Sequence, residues 1–178
     1  TGTNGKTTTT YLIRSILKAA GQSAGVIGTI GYDLNGERLE ASHTTPESIE
    51  LQSLLARLVE RQTDFAVMEV SSHALAQSRA EGCEFDAAVF TNLTQDHLDF
   101  HPTMEDYFQA KRRLFFEARP RKKTKALRAI INGDDPWGKR LAFEVPGPVW
   151  TYGMETKTDF SVGHLDSDLS GLRFTIQT

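Results

Sequence analysis

The chain has 178 residues, enough for one domain with a real core, and 20 Lys and Arg against 23 Asp and Glu give a formal net charge of −3. That balance argues against a surface built for nucleic acid or for an anionic membrane. The single cysteine, Cys83, excludes an internal disulfide, and there is no zinc-spaced Cys/His cluster and no signal-peptide pattern. No apolar run reaches the ~18 residues of a membrane span, so no membrane insertion is expected, and a reducing cytoplasm is the default location.

The first eight residues, Thr1-Gly2-Thr3-Asn4-Gly5-Lys6-Thr7-Thr8, read as most of a phosphate-binding loop. Such a loop follows a buried strand. No strand precedes it here, and Leu172-Arg173-Phe174-Thr175-Ile176 reads as a strand with nothing to close it, so a segment cut at both ends is expected. Ile13, Ile16, Leu17 and Ala20 recur at helical spacing and Gly21 follows as a stop. Ala24 to Ile30 is an apolar run rich in β-branched residues, a strand, and Asn35-Gly36 signals a turn with strands on either side. Thr45-Pro46-Glu47 predicts a helix start with Pro46 at the first helical position, and Leu51, Leu54, Leu55, Leu58 and Val59 give that helix its apolar face.

Phe65 to Val70 and Ala87 to Phe90 are apolar on successive residues, the pattern of strands covered on both faces. A helix from about Met104 to Ala118 separates the second run from Ala129-Ile130-Ile131; Val149 to Tyr152 and a hairpin through Ser170-Gly171 complete the chain. Strands alternating with helices, with polar residues at strand ends, predict an α/β fold: a P-loop-type, doubly wound and mostly parallel sheet flanked by helices, with a small antiparallel hairpin at the C-terminal end.

In a phosphate loop the backbone N–H groups and the N-terminus of the next helix receive phosphate oxygens. Lys6 would reach the β- and γ-phosphates and the Thr7 hydroxyl would ligate Mg²⁺; the alternative is a glycine turn before an ordinary helix. Glu69 interrupts an apolar strand, with Ser71-Ser72-His73 after it, and can either hold a metal in the crevice at the strand end or lie exposed there. Thr91 to Asp99 places Asp96, His97 and Asp99 within four residues, suited to a metal or a proton transfer and equally to a hydrogen-bonded loop.

Lys111 shares a helical face with Met104, Tyr107, Phe108 and Phe115. By spacing alone, snorkelling to water is favoured; the alternative is a desolvated amine open to carbamate formation. Thr44 and Thr45 can cap a helix, and Gln77 and Arg79 can bind an anion or be solvated. The cluster Arg119 to Lys125 reads as a solvated loop, since no aromatic residue is interleaved with its charges. His43 and His101 receive no role.

TGTNGKTTT, HTTPES, MEVSSHAL, FDAAVFTNLTQDHLDFH, Tyr107-Phe108-Gln109-Ala110-Lys111 and IINGDD stand here in the order found in Mur ligases. Across essentially its whole length the chain resembles the central ATPase domain of the MurE type. The resemblance implies an ATP- and Mg²⁺-dependent cytoplasmic ligase of peptidoglycan precursor synthesis. Such an enzyme joins a diamino acid, meso-diaminopimelate or L-lysine, to UDP-N-acetylmuramoyl-L-alanyl-D-glutamate through an acyl phosphate. It implies that Gly2, Thr3, Asn4, Gly5, Lys6, Thr7 and Thr8 bind ATP and that Thr7, Glu69 and His97 hold magnesium. Lys111 matches the lysine carbamylated to N6-carboxylysine, which supports a second metal, and Lys6, Glu69, His97 and Lys111 form the catalytic set. Thr44, Thr45, Ser71, Gln77 and Arg79 match contacts to the muramoyl nucleotide. Asn132-Gly133-Asp134-Asp135 matches a segment near the nucleotide but receives no role.

Residues 1–178 are thus expected to be an incomplete central domain, without the N-terminal uridine-binding and C-terminal amino-acid-binding domains, and doubtful as a catalyst alone. A folylpolyglutamate synthase-like ligase and a non-catalytic P-loop nucleotide-binding module are the alternatives.

Overall fold

The computed structural model describes residues 1–97, 99–116, 126–155, 157–169 and 171–178. The basic cluster from Arg119 to Lys125, the last two residues expected of the helix beginning at Met104, and Ser170 lie outside the described residues.

Helix α1 (Lys6–Ala19) springs directly from the glycine loop and ends before Gly21, whose φ of 75° suits only glycine without strain. Strand β1 (Ala24–Gly28) turns back through β2 (Gly31–Asp33) and β3 (Arg38–Leu39). The turn between β2 and β3 is the predicted one: Asn35 and Gly36 both have positive φ, 56° and 106°, and Leu34 N–H donates to the Glu37 carbonyl at 2.7 Å. Helix α2 (Ser48–Glu60) then leads to β4 (Phe65–Met68), which lies parallel to β1. A short α3 (Ser72–Ala76) and β5 (Ala87–Phe90) follow, and α4 (Met104–Phe116) connects β5 to β6 (Arg128–Asn132). Helix α5 (Pro136–Glu144) leads to β7 (Val149–Gly153), and β8 (Phe160–Asp168) and β9 (Gly171–Gln177) form the closing hairpin.

The fold is α/β, as expected, but its strands form two sheets among the described residues: β3-β2-β1-β4 and β5-β6-β7-β8-β9. Pairing is parallel between β1 and β4 and from β5 through β8, and antiparallel between β1 and β2, β2 and β3, and β8 and β9. The phosphate loop lies along the second sheet, where Thr1 N donates to the Val89 carbonyl at 2.8 Å and Thr91 N–H to the Thr1 carbonyl at 3.1 Å. One core runs through both halves, from Ile27, Leu51, Leu54 and Leu58 to Phe90, Phe108, Phe115, Ile131 and Leu141.

Several expectations need correction. Helix α2 begins at Ser48 with Glu47 as its cap residue, so Pro46 precedes the helix instead of opening it. The Thr45 hydroxyl donates to the Glu69 carbonyl at 2.9 Å and is thereby withdrawn from any capping role. Ile16 on α1 and Val59 on α2 are exposed, although both were placed on apolar faces. β4 is not covered on both faces either: Phe65 and Ala66 are exposed. Helices α3 and α5 were not foreseen; α3 has only 5 residues, too few to show a period.

Candidate active site

The glycine loop owes its path to backbone freedom at two points. Gly2 has φ 142°, and a Cβ there would lie 1.9 Å from Thr91 Oγ1; Gly5, at φ 81°, is the cap residue of α1. No side chain caps α1 and no acid stands in its first turn, so the helix presents bare N–H groups and the positive end of its dipole. That is the arrangement a phosphate needs. Thr8 is exposed on this first turn.

The loop is fixed from the segment after β5. Thr3 N–H donates to the Asn92 carbonyl at 2.9 Å, Asn4 N–H to Asn92 Oδ1 at 2.9 Å, Thr94 N–H to Thr3 Oγ1 at 3.1 Å, and Thr91 Oγ1 to the Asn4 carbonyl at 2.7 Å. Asp135, in the segment that received no role, caps α5 by accepting from Gly138 N–H at 2.9 Å, and its other oxygen accepts from Leu93 N–H at 3.0 Å. It therefore anchors the segment that anchors the loop.

Two lysines converge inside the loop. Lys6 Nζ donates to the Gly2 and Thr3 carbonyls at 3.0 and 2.9 Å, and Lys111 Nζ donates to the same Gly2 oxygen at 3.0 Å. Lys111 does not snorkel: it is 1% exposed and packs 4.3 Å from the centroid of the Tyr107 ring. Burial first, and then the neighbouring Lys6 charge, lower its amine to about 7. Burial also lowers Lys6, against the pull of Glu69 and Asp96.

Glu69 is likewise 1% exposed, which removes the reading of a solvated acid at a strand end. The Thr7 hydroxyl donates at 2.9 Å to both carboxylate oxygens. Thr29, unforeseen, adds its backbone N–H to Oε1 at 2.9 Å and its hydroxyl to Oε2 at 3.2 Å. The signal that could have found Thr29 is the one that found Glu69, a polar residue at the C-terminal end of an apolar strand. A hydroxyl and a carboxylate from separate elements, meeting where the helix dipole ends, are the hard oxygen donors that Mg²⁺ takes.

His97 sits apart from this pair in its contacts. Its ring meets His73 at 5.0 Å and Tyr107 at 6.0 Å between centroids, from a backbone with φ of 53°. Among the described residues no group of three His, Cys, Asp or Glu side chains is placed to hold a metal. His101, unassigned from sequence, is buried and stacked on Tyr107 at 5.0 Å, with Nε2 lacking a hydrogen-bond partner; burial and then the His73 charge hold its imidazole below the usual range. Tyr107 OH lies 3.3 Å from Thr3 Oγ1, so this aromatic cluster also reaches the loop.

The remaining site candidates line one flank. Thr44 Oγ1 lies 3.0 Å from Thr29 Oγ1. Thr45 is fully buried and its hydroxyl is committed inward, accepting from Ser71 N–H at 3.0 Å while it donates to Glu69. Ser71 caps α3 through Ala74 N–H at 3.1 Å. Arg79 donates to Gln77 Oε1 at 2.8 Å and to the Thr45 carbonyl at 3.1 Å, and pairs with Glu47 at 2.9 Å. Gln77, Arg79 and Thr45 thus form one hydrogen-bonded strip beside Glu69, and Thr44 reaches Glu69 through Thr29. His43 N–H and carbonyl meet Tyr32 OH, and its ring Nδ1 lies 3.3 Å from Ser42 Oγ.

A family model described as the Mur ligase middle domain matches residues 1–178. A Gloeobacter violaceus protein named UDP-N-acetylmuramoyl-L-alanyl-D-glutamate–2,6-diaminopimelate ligase is 52% identical over 178 residues, covering 100% of this chain and 35% of the relative. The chain therefore spans about a third of that relative's length. A solved structure of a ligase with the same name is 34% identical with a TM-score of 0.83, covering 98% of this chain and 35% of the other. A Mycobacterium tuberculosis folylpolyglutamate synthase, solved with ADP and AMPPCP, shares the fold at a TM-score of 0.70 and 15% identity, over 99% of this chain and 46% of its own.

Proposed function

Because the chain belongs to the Mur ligase family as a middle domain, we propose that it is the ATP-binding part of a cytoplasmic ligase that adds 2,6-diaminopimelate to UDP-N-acetylmuramoyl-L-alanyl-D-glutamate. The amine is the one in the relative's name. The observation that carries the proposal is the convergence on one loop of an uncapped helix N-terminus, the Thr7–Glu69 oxygen pair and the two lysines on Gly2. In this reading residues 1–178 are a central domain, and the uridine- and amino-acid-binding domains belong to the rest of a longer protein.

A carboxylate is a poor electrophile because its oxygen leaves badly. Transfer of the γ-phosphoryl group of ATP to the glutamate side-chain carboxylate makes an acyl phosphate and ADP. Attack by the diamino acid's neutral amine then forms the C–N bond through a tetrahedral intermediate; the C–O bond to the phosphoryl group breaks, phosphate leaves carrying that oxygen, and the nitrogen gives up a proton to solvent. Each partner but the amine is anionic, so the site must supply positive potential. The N–H groups of Gly2 to Thr8 and the α1 dipole receive the phosphates, and Lys6, once released from the loop carbonyls, follows the transferred group.

Thr7 and Glu69 would hold Mg²⁺, with His97 as a further ligand through water; bound there, the ion neutralises phosphate oxygens. The neutral form of the Lys111 amine can add CO₂ and lose a proton to give a carbamate, which puts an anion where the buried ammonium would stand at the Gly2 carbonyl. Thr44, Thr45, Ser71, Gln77 and Arg79 form the flank for the muramoyl nucleotide: Arg79 offers charge, Thr44 and Gln77 offer polar groups, and Thr45 and Ser71 hold the strip in shape.

The test is ADP and phosphate release by the full-length protein with Mg²⁺ and the UDP-muramoyl dipeptide, with meso-diaminopimelate or L-lysine supplied separately. Turnover is expected only with the muramoyl nucleotide, and with diaminopimelate as amine. Turnover with a pteroyl substrate instead, or nucleotide binding without turnover, would overturn the proposal.

A further inference from the structure

The Glu69 carboxylate is reached by three donors, and two of them come from one residue outside every motif: the Thr29 backbone N–H at 2.9 Å and the Thr29 hydroxyl at 3.2 Å, beside the Thr7 hydroxyl at 2.9 Å. Thr29 follows the last residue of β1, Gly28, where a Cβ would lie 2.3 Å from Glu69 Oε1. The end of β1 is thus shaped so that the carboxylate lies against backbone, within reach of Thr29. The hydroxyl of Thr29 also lies 3.0 Å from Thr44 Oγ1. A hydroxyl carries one proton and a carboxylate only accepts, so the Thr29 proton goes to Glu69 and Thr44 is the donor to Thr29. The result is a directed chain, Thr44 O–H to Thr29 O–H to Glu69 Oε2. It fixes the rotation of both the hydroxyl and the carboxylate.

We propose that Thr29 is a positioning residue for Mg²⁺ binding: its hydroxyl orients the Glu69 carboxylate against Thr7, and through Thr44 it ties that orientation to the muramoyl flank. The proposal rests on the reading of Thr7 and Glu69 as the metal pair. Residues that orient a metal ligand without touching the ion commonly account for 10- to 100-fold in metal affinity. A threonine that merely satisfied a buried acid would instead affect folding stability and leave metal affinity unchanged.

The experiment is calorimetric binding of AMPPCP to the full-length protein, across a series of Mg²⁺ concentrations and in EDTA, for the parent, Thr29→Val, Thr29→Ser and Glu69→Gln. Thr29→Val keeps the shape and the backbone N–H but loses the hydroxyl, and is expected to raise the Mg²⁺ midpoint about tenfold while leaving the affinity in EDTA unchanged. Thr29→Ser restores the hydroxyl and is expected to stay within about twofold of the parent. Should Thr29→Val fail to fold, Thr29→Ala removes the same hydroxyl without branching. An unmoved midpoint in a folded hydroxyl-free variant, with Glu69→Gln shifted, overturns the role of Thr29 alone. An unmoved midpoint in Glu69→Gln overturns the metal reading beneath it.

Discussion

Lys111 is the residue whose environment demands the most explanation. A lysine that is 1% exposed, bonded to a carbonyl that also receives Lys6, carries a charge the site resists, and its amine falls from 10.5 to about 7. The unfolded chain therefore binds more protons than the folded one between those values, and stability rises with pH across that window. Lys111→Met removes the titrating group. Its melting temperature is expected to show a flatter pH dependence from 7 to 10 than the parent's, and to match or exceed the parent's at pH 7. The same shift sets the chemistry. CO₂ reacts with the neutral amine, so ¹³C-bicarbonate labelling should give a carbamate resonance that grows as pH rises through 7 and is absent in Lys111→Met. A parent without that resonance at pH 8 would remove the carbamate from the account and leave Lys111 as a buried tether for Gly2.

Among the elements, α5 shows how a cap can serve a site at a distance. Asp135 gives one carboxylate oxygen to the α5 N-terminus and the other to Leu93, within the segment that holds Thr3 and Asn4. Asp135→Ala loses the cap and leaves the Leu93 N–H without its acceptor, together about 2–3 kcal/mol. A fall of several degrees in melting temperature is expected, together with weaker nucleotide binding because the loop loses its support. A variant that loses stability but binds nucleotide as before would separate the cap from the site.

What was legible in the sequence follows the range of the forces involved. The Asn35-Gly36 turn was plain because positive φ is a local property, and α1 and α2 were plain because their periods extend over several turns. Ile16 and Val59 were misplaced because helical spacing identifies an apolar stripe without identifying what covers it. Thr29 was missed because its partner is 40 residues away; its place at the end of an apolar strand marks a polar position there but does not say which group it meets. Lys111 was readable as two opposite things from spacing alone, and only the packing of α4 against the loop decided between them.

At the scale of the whole molecule, the phosphate loop is the piece through which the two sheets share one site. On one side Thr7 bonds Glu69, which follows β4 and is itself bonded to Thr29 after β1. On the other, Thr3 and Asn4 bond Asn92 and Thr94 after β5, and Gly2 receives Lys111 from α4. A nucleotide held by Gly2 to Thr8 therefore restrains groups attached to both sheets at once. A ligand at 100 times its Kd stabilises the binding-competent state by about 2.7 kcal/mol, and amide exchange reports where that stabilisation is felt. Saturating Mg²⁺·AMPPCP is expected to slow exchange at Thr29 and Glu69 and also at Asn92 to Thr94, by comparable factors, with the hairpin β8–β9 unaffected. Protection confined to Asn92–Thr94 would mean that the loop engages nucleotide from the second sheet alone, and the pairing of Thr7 with Glu69 would then be a structural contact with no part in binding.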